Sequence, residues 1–238
     1  MKIVNSIVSK AFQNALLIHK EKIANYTFHL RLKLSSPISN YVAGQQLRIF
    51  VGLDNVLAFN DIIRTYSVWH YNANTLEVDI AVCTFSNGQG AKWAIEINVG
   101  DTVYFSGPKG KFIFDNSAET YFLLGDISAL GPLYEIARQI NYKKKINSFI
   151  YSKDKSDFFK DKFSHTNFNF FTFNTNAVEE IILLIDNIEV DIKKTIIYIA
   201  GEANFCKEIN AYFRKSKMIE TKRIFTKPFW HPNKKGLE

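Results

Sequence analysis

The stretch IIRTYSVWH, residues 62–70, sets an arginine, a tyrosine and a serine within an otherwise apolar, β-branched run. The guanidinium of Arg64 offers a fork for phosphate, and the ring of Tyr66 offers a stacking surface. The hydroxyls of Thr65 and Ser67 add hydrogen-bonding groups for a ring nitrogen, so the set suits a flavin dinucleotide. Strand alternation puts Arg64 and Tyr66 on one face and Ser67 on the other, so Ser67 would act through its backbone or from a strand end. Surface residues on an edge strand are the alternative for this motif by itself.

A glycine-rich segment follows at residues 88–94, GQGAKWA. Glycines just before a helix expose backbone N–H groups, and a helix N-terminus favours phosphate. An ordinary turn with a helix cap is the alternative explanation of this segment. Its distance from Arg64 along the chain would let both elements meet one pyrophosphate.

A third candidate segment is LLGDISALGPL, residues 123–133, which begins inside the apolar run TYFLLG at 120–125. The carboxyl end of such a strand is where dinucleotides bind, although the spacing here is not G-x-G-x-x-G. Gly125 and Gly131 would allow close approach of a nicotinamide or a pyrophosphate. The segment AGEANF, residues 200–205, ends the last apolar run and would lie beside it.

The elements that must position these residues change rhythm near the middle of the chain. Before that point, apolar and polar residues alternate as half-buried strands require. The alternating runs are residues 23–34, 46–51, 63–69, 76–82 and 102–106. Their spacing predicts a small antiparallel barrel with one inserted helix at 88–97. From about residue 118, strands alternate with helices, which predicts a parallel sheet and hence two domains, residues 1–116 and 117–238.

Composition places the chain among globular proteins, and its charge is concentrated near the C-terminus. Of its 238 residues, 47% are apolar and 15% are aromatic, and the formal net charge is +7. Residues 214–238 hold eight Lys or Arg against two Glu and so contribute +6 of that charge. This basic tail favours an anionic small molecule, nucleic acid or acidic protein as partner, with simple solvation as the alternative.

Several classes of site and of location are disfavoured. Cys83 and Cys206 match no metal or redox spacing, and the five histidines form no metal-ligand or Ser/His/Asp pattern, so we expect no metal. The lysines are not interleaved with aromatics in an RNA-binding motif. The first residues lack a signal-peptide pattern, and no apolar run approaches the roughly 18 residues of a membrane span. We therefore expect a soluble, cytoplasmic protein without nucleic-acid or membrane partners.

Five motifs occur in order: RTYS, the glycine-rich helix start, SGPKGKF (106–112), LLGDISALGPL and YIAGEANFCKEI (198–209). With the terminal PFWHPNKKG (228–236), they resemble the ferredoxin–NADP reductase superfamily and, more narrowly, the siderophore-interacting protein family of ferric-siderophore reductases. The resemblance covers most of the chain. It implies a six-stranded FAD-binding barrel followed by a Rossmann-like NAD(P)H-binding domain. That barrel often carries a longer insertion with His and acidic residues where this chain has LAFNDII (57–63).

The resemblance also implies a role for each matching residue. The flavin-side residues would be Arg64, Thr65, Tyr66, Ser67, Gly88, Gly90, Ala91 and Trp93. The nicotinamide-side residues would be Gly125, Asp126, Ser128, Ala129, Gly201 and Glu202. Tyr66, Ser67 and Trp230 would act at the reaction centre, Trp230 by covering the flavin or the substrate face. Ordinary packing of the C-terminal segment is the alternative for Trp230.

The chemistry implied is electron transfer from NAD(P)H through FAD to a ferric siderophore, which needs no side-chain acid–base pair. A basic surface would help to receive an anionic chelate. The candidate contacts are Lys227, Lys234 and Lys235. Ser152, Lys153 and Lys155, which follow a predicted strand, favour NADPH slightly over NADH. A flavin or siderophore-binding module fed by ferredoxin, and a basic nucleic-acid-binding protein, are the alternatives from other functional classes.

Overall fold

The computed structural model describes residues 12–52, 63–86, 88–174 and 176–233. The chain divides into two compact units between Gly110 and Lys111. In the second unit, the hydroxyl of Tyr198 accepts from the N–H of Asp115 at 2.8 Å and donates to the carbonyl of Ile113 at 3.0 Å. The segment before the second sheet is therefore held by that sheet. The division lies a few residues before the predicted domain boundary, which stays a prediction.

The first unit is a closed antiparallel barrel of six strands. These are β1 (Gln13–Ala24), β2 (Thr27–Leu34), β3 (Gln46–Phe50), β4 (Ile63–Asn72), β5 (Glu77–Cys83) and β6 (Thr102–Lys109). Their order around the barrel is β1-β2-β5-β4-β3-β6. Helix α1 (Gln89–Glu96) lies between β5 and β6 in the chain. The predicted six-stranded antiparallel barrel is confirmed.

The period of two explains how the barrel closes around an apolar interior. Val78, Ile80 and Val82 of β5 are almost fully buried, as are Leu30 and Leu32 of β2. Burying one such side chain contributes about 1.5–3 kcal/mol. Because a one-residue slip would turn this whole set to the other face, the apolar positions set the register of each strand.

The start of the barrel differs from the prediction. A single strand is predicted over residues 23–34, but β1 ends at Ala24 and β2 begins at Thr27, and these two residues pair across the hairpin turn. The register also shifts between Leu17 and His19. Such a shift breaks the alternation within β1, which hides the strand from a search for a period of two.

The second unit is a parallel sheet with helical connections. Its strands are β7 (Thr120–Asp126), β8 (Lys145–Ser152), β9 (Phe170–Thr172), β10 (Thr195–Glu202) and β11 (Ile224–Trp230). Its helices are α2 (Leu130–Gln139), α3 (Ala177–Asp186) and α4 (Ala203–Lys215), and a 3₁₀ turn, Ile127–Ala129, links β7 to α2. The strand order is β11-β10-β7-β8-β9, so the predicted parallel α/β domain is confirmed. Within the described ranges, no helix has the length and apolarity needed to cross a membrane.

The strand order creates a switch point between β7 and β10. After β7 the chain moves outward to β8 and β9, and it then returns to add β10 and β11 on the other side. Ligands of open α/β sheets bind beyond the carboxyl ends of the strands at such a point. β7 and β10 are buried along nearly their whole length, as expected of inner parallel strands.

Strand β11 runs through the segment predicted only as a basic tail. It pairs in parallel with β10 from Ile224 to Trp230. Pro228 has no backbone N–H to donate, and among the described strands β11 pairs on one side only, so this edge position tolerates the loss. Part of the basic tail is therefore built into the sheet.

Candidate functional site

Strand β4 and helix α1 bring the two predicted flavin-side segments together. A Cβ atom added at Gly90, in the first turn of α1, would lie 2.3 Å from Tyr66 Oη and 3.3 Å from Arg64 Cγ. The first distance is far shorter than van der Waals contact. Glycine is therefore the residue that allows this helix to sit against the arginine and the tyrosine.

The N-terminus of α1 presents backbone donors at the same place. Gly88 is the N-cap residue and supplies no side-chain cap, and the first turn contains no acidic residue. The first N–H groups of a helix lack partners within the helix, and the helix dipole makes this end favourable for anions. Arg64, which touches the space at Gly90, adds a guanidinium whose Nη1 donates to the Ile63 carbonyl at 2.7 Å. This combination suits a phosphate group.

An aromatic platform adjoins this phosphate cradle. The rings of Tyr66 and Trp93 stack with centroids 5.7 Å apart and an interplanar angle of 24°. Trp93 packs on the barrel core, and Ala91 is buried in the same helix. Such a pair is favourable by about 0.5–1.5 kcal/mol, so Trp93 helps to fix the Tyr66 ring. The cradle and the platform fit the pyrophosphate and the ring system of FAD.

The Ser67 side chain has a partner that sequence reasoning missed. Gln46 Nε2 donates to Ser67 Oγ at 3.2 Å, and the two residues lie opposite each other in the β3–β4 ladder. Gln46 is buried, and Thr65 pairs with Arg48 two positions along the same ladder. A glutamine at a buried position of β3, whose other buried residues are apolar, is the sequence signal for this contact. The roles predicted for Thr65 and Ser67 at the flavin stay predictions.

A second group of predicted residues meets at the carboxyl ends of β7, β10 and β11. Asp126, the buried last residue of β7, accepts hydrogen bonds from the N–H and the hydroxyl of Ser128 at 2.7 and 2.5 Å. Its other oxygen accepts from the backbone N–H of Glu202 at 2.7 Å and from the indole N–H of Trp230 at 2.8 Å. One carboxyl group therefore ties three strand ends together at the switch point.

The environment of Asp126 is strongly desolvated. Burial raises the pKa of this carboxyl above its ordinary range, and the hydrogen bonds from Ser128, Trp230 and Glu202 offset that effect only in part. A buried carboxyl surrounded by four donors is a fixed polar anchor, because a partner lost from it would leave a costly unsatisfied group.

The glycines of this second group are tightly packed. A Cβ added at Gly125 would lie 2.3 Å from the Ala200 carbonyl oxygen and 2.6 Å from Ala129 Cβ. Gly201 has φ +116°, and its Cβ would lie 2.6 Å from Asp126 Oδ2. Close packing explains why both positions hold glycine, and the positive φ is a second reason at Gly201. Their predicted contact with a nicotinamide stays a prediction.

The remaining residues of this region have structural partners of their own. The carboxylate of Glu202 accepts from the N–H groups of Asn204 and Phe205, both at 2.8 Å, and so caps α4. Cys206 is buried, and burial raises the pKa of its thiol, which argues against a reactive thiolate. Lys227, on β11, pairs with Ala200 of β10.

Not every predicted residue falls in the part of the chain that the structure describes. Lys234 and Lys235, predicted to contact a substrate, lie outside the described residues, as does most of LAFNDII. Lys227 is described, but the structure places it with the sheet rather than in a free tail.

A cavity of about 290 Å³ opens beside β9 and the segment that follows β8. Its lining residues are Lys155, Phe158, Phe159, Lys160, Phe170 and Thr172. The rings of Phe158 and Phe170 stack with centroids 4.5 Å apart. Ser152, predicted to hold a 2′-phosphate, instead donates its hydroxyl to Asp157 Oδ2 at 2.6 Å, and Lys153 is exposed. Aromatic rings beside two lysines suit an anionic ring-bearing ligand.

Two family models match consecutive parts of the chain. The model described as oxidoreductase FAD-binding domain matches residues 14–114, and the one described as siderophore-interacting protein matches residues 118–233. The chain therefore joins an oxidoreductase FAD-binding domain to a siderophore-interacting protein domain. It is thus an FAD-binding oxidoreductase-type protein, with the barrel as its FAD-binding domain.

Solved structures of siderophore-related proteins share the fold. The chain resembles a siderophore utilization protein from T. fusca at TM-score 0.79 and 17% identity, covering 95% of each chain. It resembles the siderophore-interacting protein SipS from Aeromonas hydrophila at TM-score 0.76 and 16% identity, covering 94% of this chain and 92% of that one. At these identities the likeness shows the fold alone.

Curated relatives match more locally. Phthalate dioxygenase reductase from Burkholderia cepacia is 29% identical over 133 residues, which are 54% of this chain and 39% of that protein. NADH-cytochrome b5 reductase 1 from Lodderomyces elongisporus is 25% identical over 138 residues, which are 57% of this chain and 45% of that protein. The chain therefore matches less than half the length of these reductases.

Proposed function

We propose that this protein is an FAD-dependent reductase that takes electrons from NAD(P)H and delivers them to a ferric siderophore, releasing iron as Fe(II). The observation that carries the proposal is the cradle formed by Gly90, Arg64 and Tyr66, in which the helix start, the guanidinium and the ring converge. It lies in the part of the chain that matches the FAD-binding domain model.

In this proposal, Arg64 and the N–H groups after Gly88 bind the pyrophosphate, and Tyr66 supports the isoalloxazine with Trp93 behind it. Thr65, Ser67 and Ala91 complete the predicted contacts. The chemistry that FAD would supply when bound is to accept two electrons from a nicotinamide and to release them one at a time. The side chains orient the cofactor and neutralise phosphate charge, so none of them needs to move a proton.

The switch point between β7 and β10 is the proposed nicotinamide-nucleotide site. Asp126 holds Ser128, Glu202 and Trp230 in fixed positions by accepting four hydrogen bonds. This preorganisation matters because a reacting ring must be held within a fraction of an ångström of its partner. We assign to Trp230 a shielding role at this edge, with its indole N–H fixing the ring orientation.

The cavity beside β9 supports NADPH as the preferred donor. Lys155 and Lys160 would pair with an adenosine 2′-phosphate, and the Phe158–Phe170 stack offers a surface for the adenine. A 2′-phosphate adds about two negative charges near neutral pH, which two lysines can balance. This revises the predicted set, because the Ser152 hydroxyl is engaged with Asp157.

The proposed acceptor follows from the second family model and from charge. The part of the chain that matches the siderophore-interacting protein model includes residues 214–233 of the basic C-terminal segment, and with them Lys227. A basic surface raises the encounter rate with an anionic chelate. Each ferric ion takes one electron, so one NAD(P)H accounts for two Fe(II) ions.

One observation favours a second candidate, an electron-transfer module fed by ferredoxin. The backbone at Gly125 and Gly201 is closed by protein atoms, so the region does not offer the open glycine turn of a dinucleotide fingerprint. Such a protein would bind FAD through Arg64 and Tyr66 but would accept electrons poorly from nicotinamides.

The deciding experiment is an anaerobic titration of the FAD-loaded protein. Bleaching of the flavin band by NADPH, followed by Fe(II) trapping from a ferric siderophore at two ions per NADPH, supports the reductase. Bleaching by reduced ferredoxin with neither nicotinamide active supports the second candidate. Failure to retain FAD refutes both.

The acceptor surface needs its own pair of variants. Lys227→Glu should raise KM for a ferric siderophore several-fold and leave flavin reduction by NADPH unchanged, because only encounter with the anionic chelate is affected. Lys207→Glu, an exposed charge reversal on α4, is the matched control. Equal effects of both variants would mean that net charge, and not a local site, receives the chelate.

A further inference from the structure

The outer face of the β1–β2 hairpin gathers two imidazoles and a carboxylate. His19 and Glu21 lie two residues apart on β1, and Glu21 is directly opposite His29 on β2. Side chains two apart on a strand share a face, and cross-strand partners are neighbours on that face. One potential ligand atom from each of the three residues lies within 4.8 Å of the other two.

These three side chains are already in mutual contact. His19 Nε2 lies 3.3 Å from Glu21 Oε2, and the His19 and His29 rings have centroids 5.1 Å apart. About 3.3 Å is also the separation expected for two ligands bound tetrahedrally to one zinc ion. His19 and Glu21 are about half exposed and so have room to adjust around an ion, whereas His29 is buried.

A buried carboxylate orients the third ligand. His29 Nε2 lies 2.5 Å from Oδ1 of Asp79, which is fully buried on β5. The guanidinium of Arg31, which can only donate hydrogen bonds, also bonds to Oδ1 of Asp79. Asp79 is therefore an acceptor, and His29 must donate through Nε2.

With Nε2 directed at Asp79, Nδ1 is the ring nitrogen of His29 that can offer a lone pair to a metal ion. A histidine that binds a metal through one nitrogen almost always donates from the other to a carboxylate or a carbonyl. The Asp79–His29 pair has this arrangement, and it is independent of the proximity of His19 and Glu21. Arg31 Nε also donates to Asp79 at 2.7 Å, which fixes the carboxylate further.

We propose that His19, Glu21 and His29 bind a first-row divalent transition-metal ion, with Zn²⁺ as the reference ion. Two imidazole nitrogens and one carboxylate form a recognised ligand set for such ions, and they leave at least one coordination position for water. The ion links β1 to β2 on the outside of the barrel. This site uses neither β3 nor β4, which carry Gln46, Arg64 and Tyr66.

The sequence pattern alone does not predict this metal site. The ligands are spaced H-x-E-x₇-H, and they meet only because the hairpin turn at residues 25–26 pairs β1 with β2 in the observed register. This is why the histidine spacing predicted no metal.

The test uses untagged, chelator-treated protein titrated with Co²⁺, followed by visible absorption, and with Zn²⁺, followed by calorimetry. The proposal expects one site per chain. His19→Ala and Glu21→Gln should each weaken binding at least tenfold while FAD content is unchanged. Both residues are half exposed, so their replacement leaves the barrel interior intact.

Two matched controls remove the same side-chain types elsewhere. His165→Ala and Glu179→Gln change exposed residues of the second unit and should leave the affinity unchanged. Absence of a stoichiometric site in the parent protein overturns the proposal. So does equal binding by parent, His19→Ala and Glu21→Gln proteins, because the ion would then lie elsewhere.

Discussion

Replacing Gly90 with alanine tests whether the flavin cradle depends on the close approach of α1 to β4. The added Cβ would lie 2.3 Å from Tyr66 Oη, whereas an ordinary contact needs about 3.4 Å or more, so the tyrosine must move by roughly 1 Å. Displacing an aromatic platform forfeits about 0.5–1.5 kcal/mol of stacking. We therefore expect FAD to bind up to about tenfold more weakly.

The same substitution should not destabilise the apoprotein. Gly90 is helical, and alanine is favoured over glycine in a helix by about 1 kcal/mol. The Tyr66–Trp93 stacking lost in the apoprotein offsets this gain, so FAD affinity should fall while the stability of the apoprotein stays nearly constant. Equilibrium dialysis with FAD and thermal unfolding of the apoprotein measure the two quantities.

A double variant identifies the clashing atom. Tyr66→Phe removes Oη, and the next Tyr66 atom, Cζ, lies 3.5 Å from the added Cβ, an ordinary contact. Gly90→Ala combined with Tyr66→Phe should therefore regain most of the affinity lost by Gly90→Ala alone. Ile95→Ala, an exposed change on the same helix, is the control. Unchanged FAD affinity in Gly90→Ala, or no recovery in the double variant, would refute the reasoning.

Three further predictions concern the cradle, the switch point and the buried network. Arg64→Gln should lower FAD affinity about tenfold or more without changing the unfolding temperature, because a charge-assisted bond to phosphate is worth about 1.5–3 kcal/mol. Gly201→Ala should destabilise the protein by more than Gly100→Ala in thermal unfolding. Both glycines have positive φ, and an alanine at such a φ costs about 1–3 kcal/mol at either position. The added Cβ would also clash with Asp126 at position 201, whereas at position 100 nothing lies within 4 Å of it. The pKa of Asp79 is lower in the folded than in the unfolded state, so the free energy of unfolding should fall as the pH drops below about 4. Asp79→Asn should make this fall less steep, as measured by urea titrations across the acid range.

Each of these has a result that contradicts it. Equal FAD affinity in Arg64→Gln would remove the phosphate role from that guanidinium. Equal losses of stability at positions 201 and 100 would mean that the Asp126 contact relaxes without cost. An acid limb of the same slope in Asp79→Asn would show that other carboxyl groups set the acid sensitivity.

Local pattern was enough to predict the two types of architecture. The alternation of Val78, Ile80 and Val82 specifies a half-buried strand because successive side chains of a strand point to opposite faces. The unbroken apolar runs of β7 and β10 specify inner parallel strands, which are covered on both faces. The sequence also predicted a dinucleotide site from the Arg64–Tyr66 motif and the glycines after residue 87, because recognition of phosphates and rings requires particular residue types.

Long-range register decided what each side chain touches. The sequence could not show that Gln46 meets Ser67 or that Trp230 meets Asp126, since each contact joins residues that are distant in the chain. It also missed β1, whose alternation is interrupted by the register shift after Leu17.

The same distinction separates the candidate sites. The dinucleotide cradle could be predicted from the sequence because its residue types carry the chemistry within two short segments. The cluster of His19, Glu21 and His29 exists only because a hairpin pairs its strands in one register, with Asp79 of a third strand behind it. Periodicity follows from the order of the residues, whereas contact between strands requires the closed barrel.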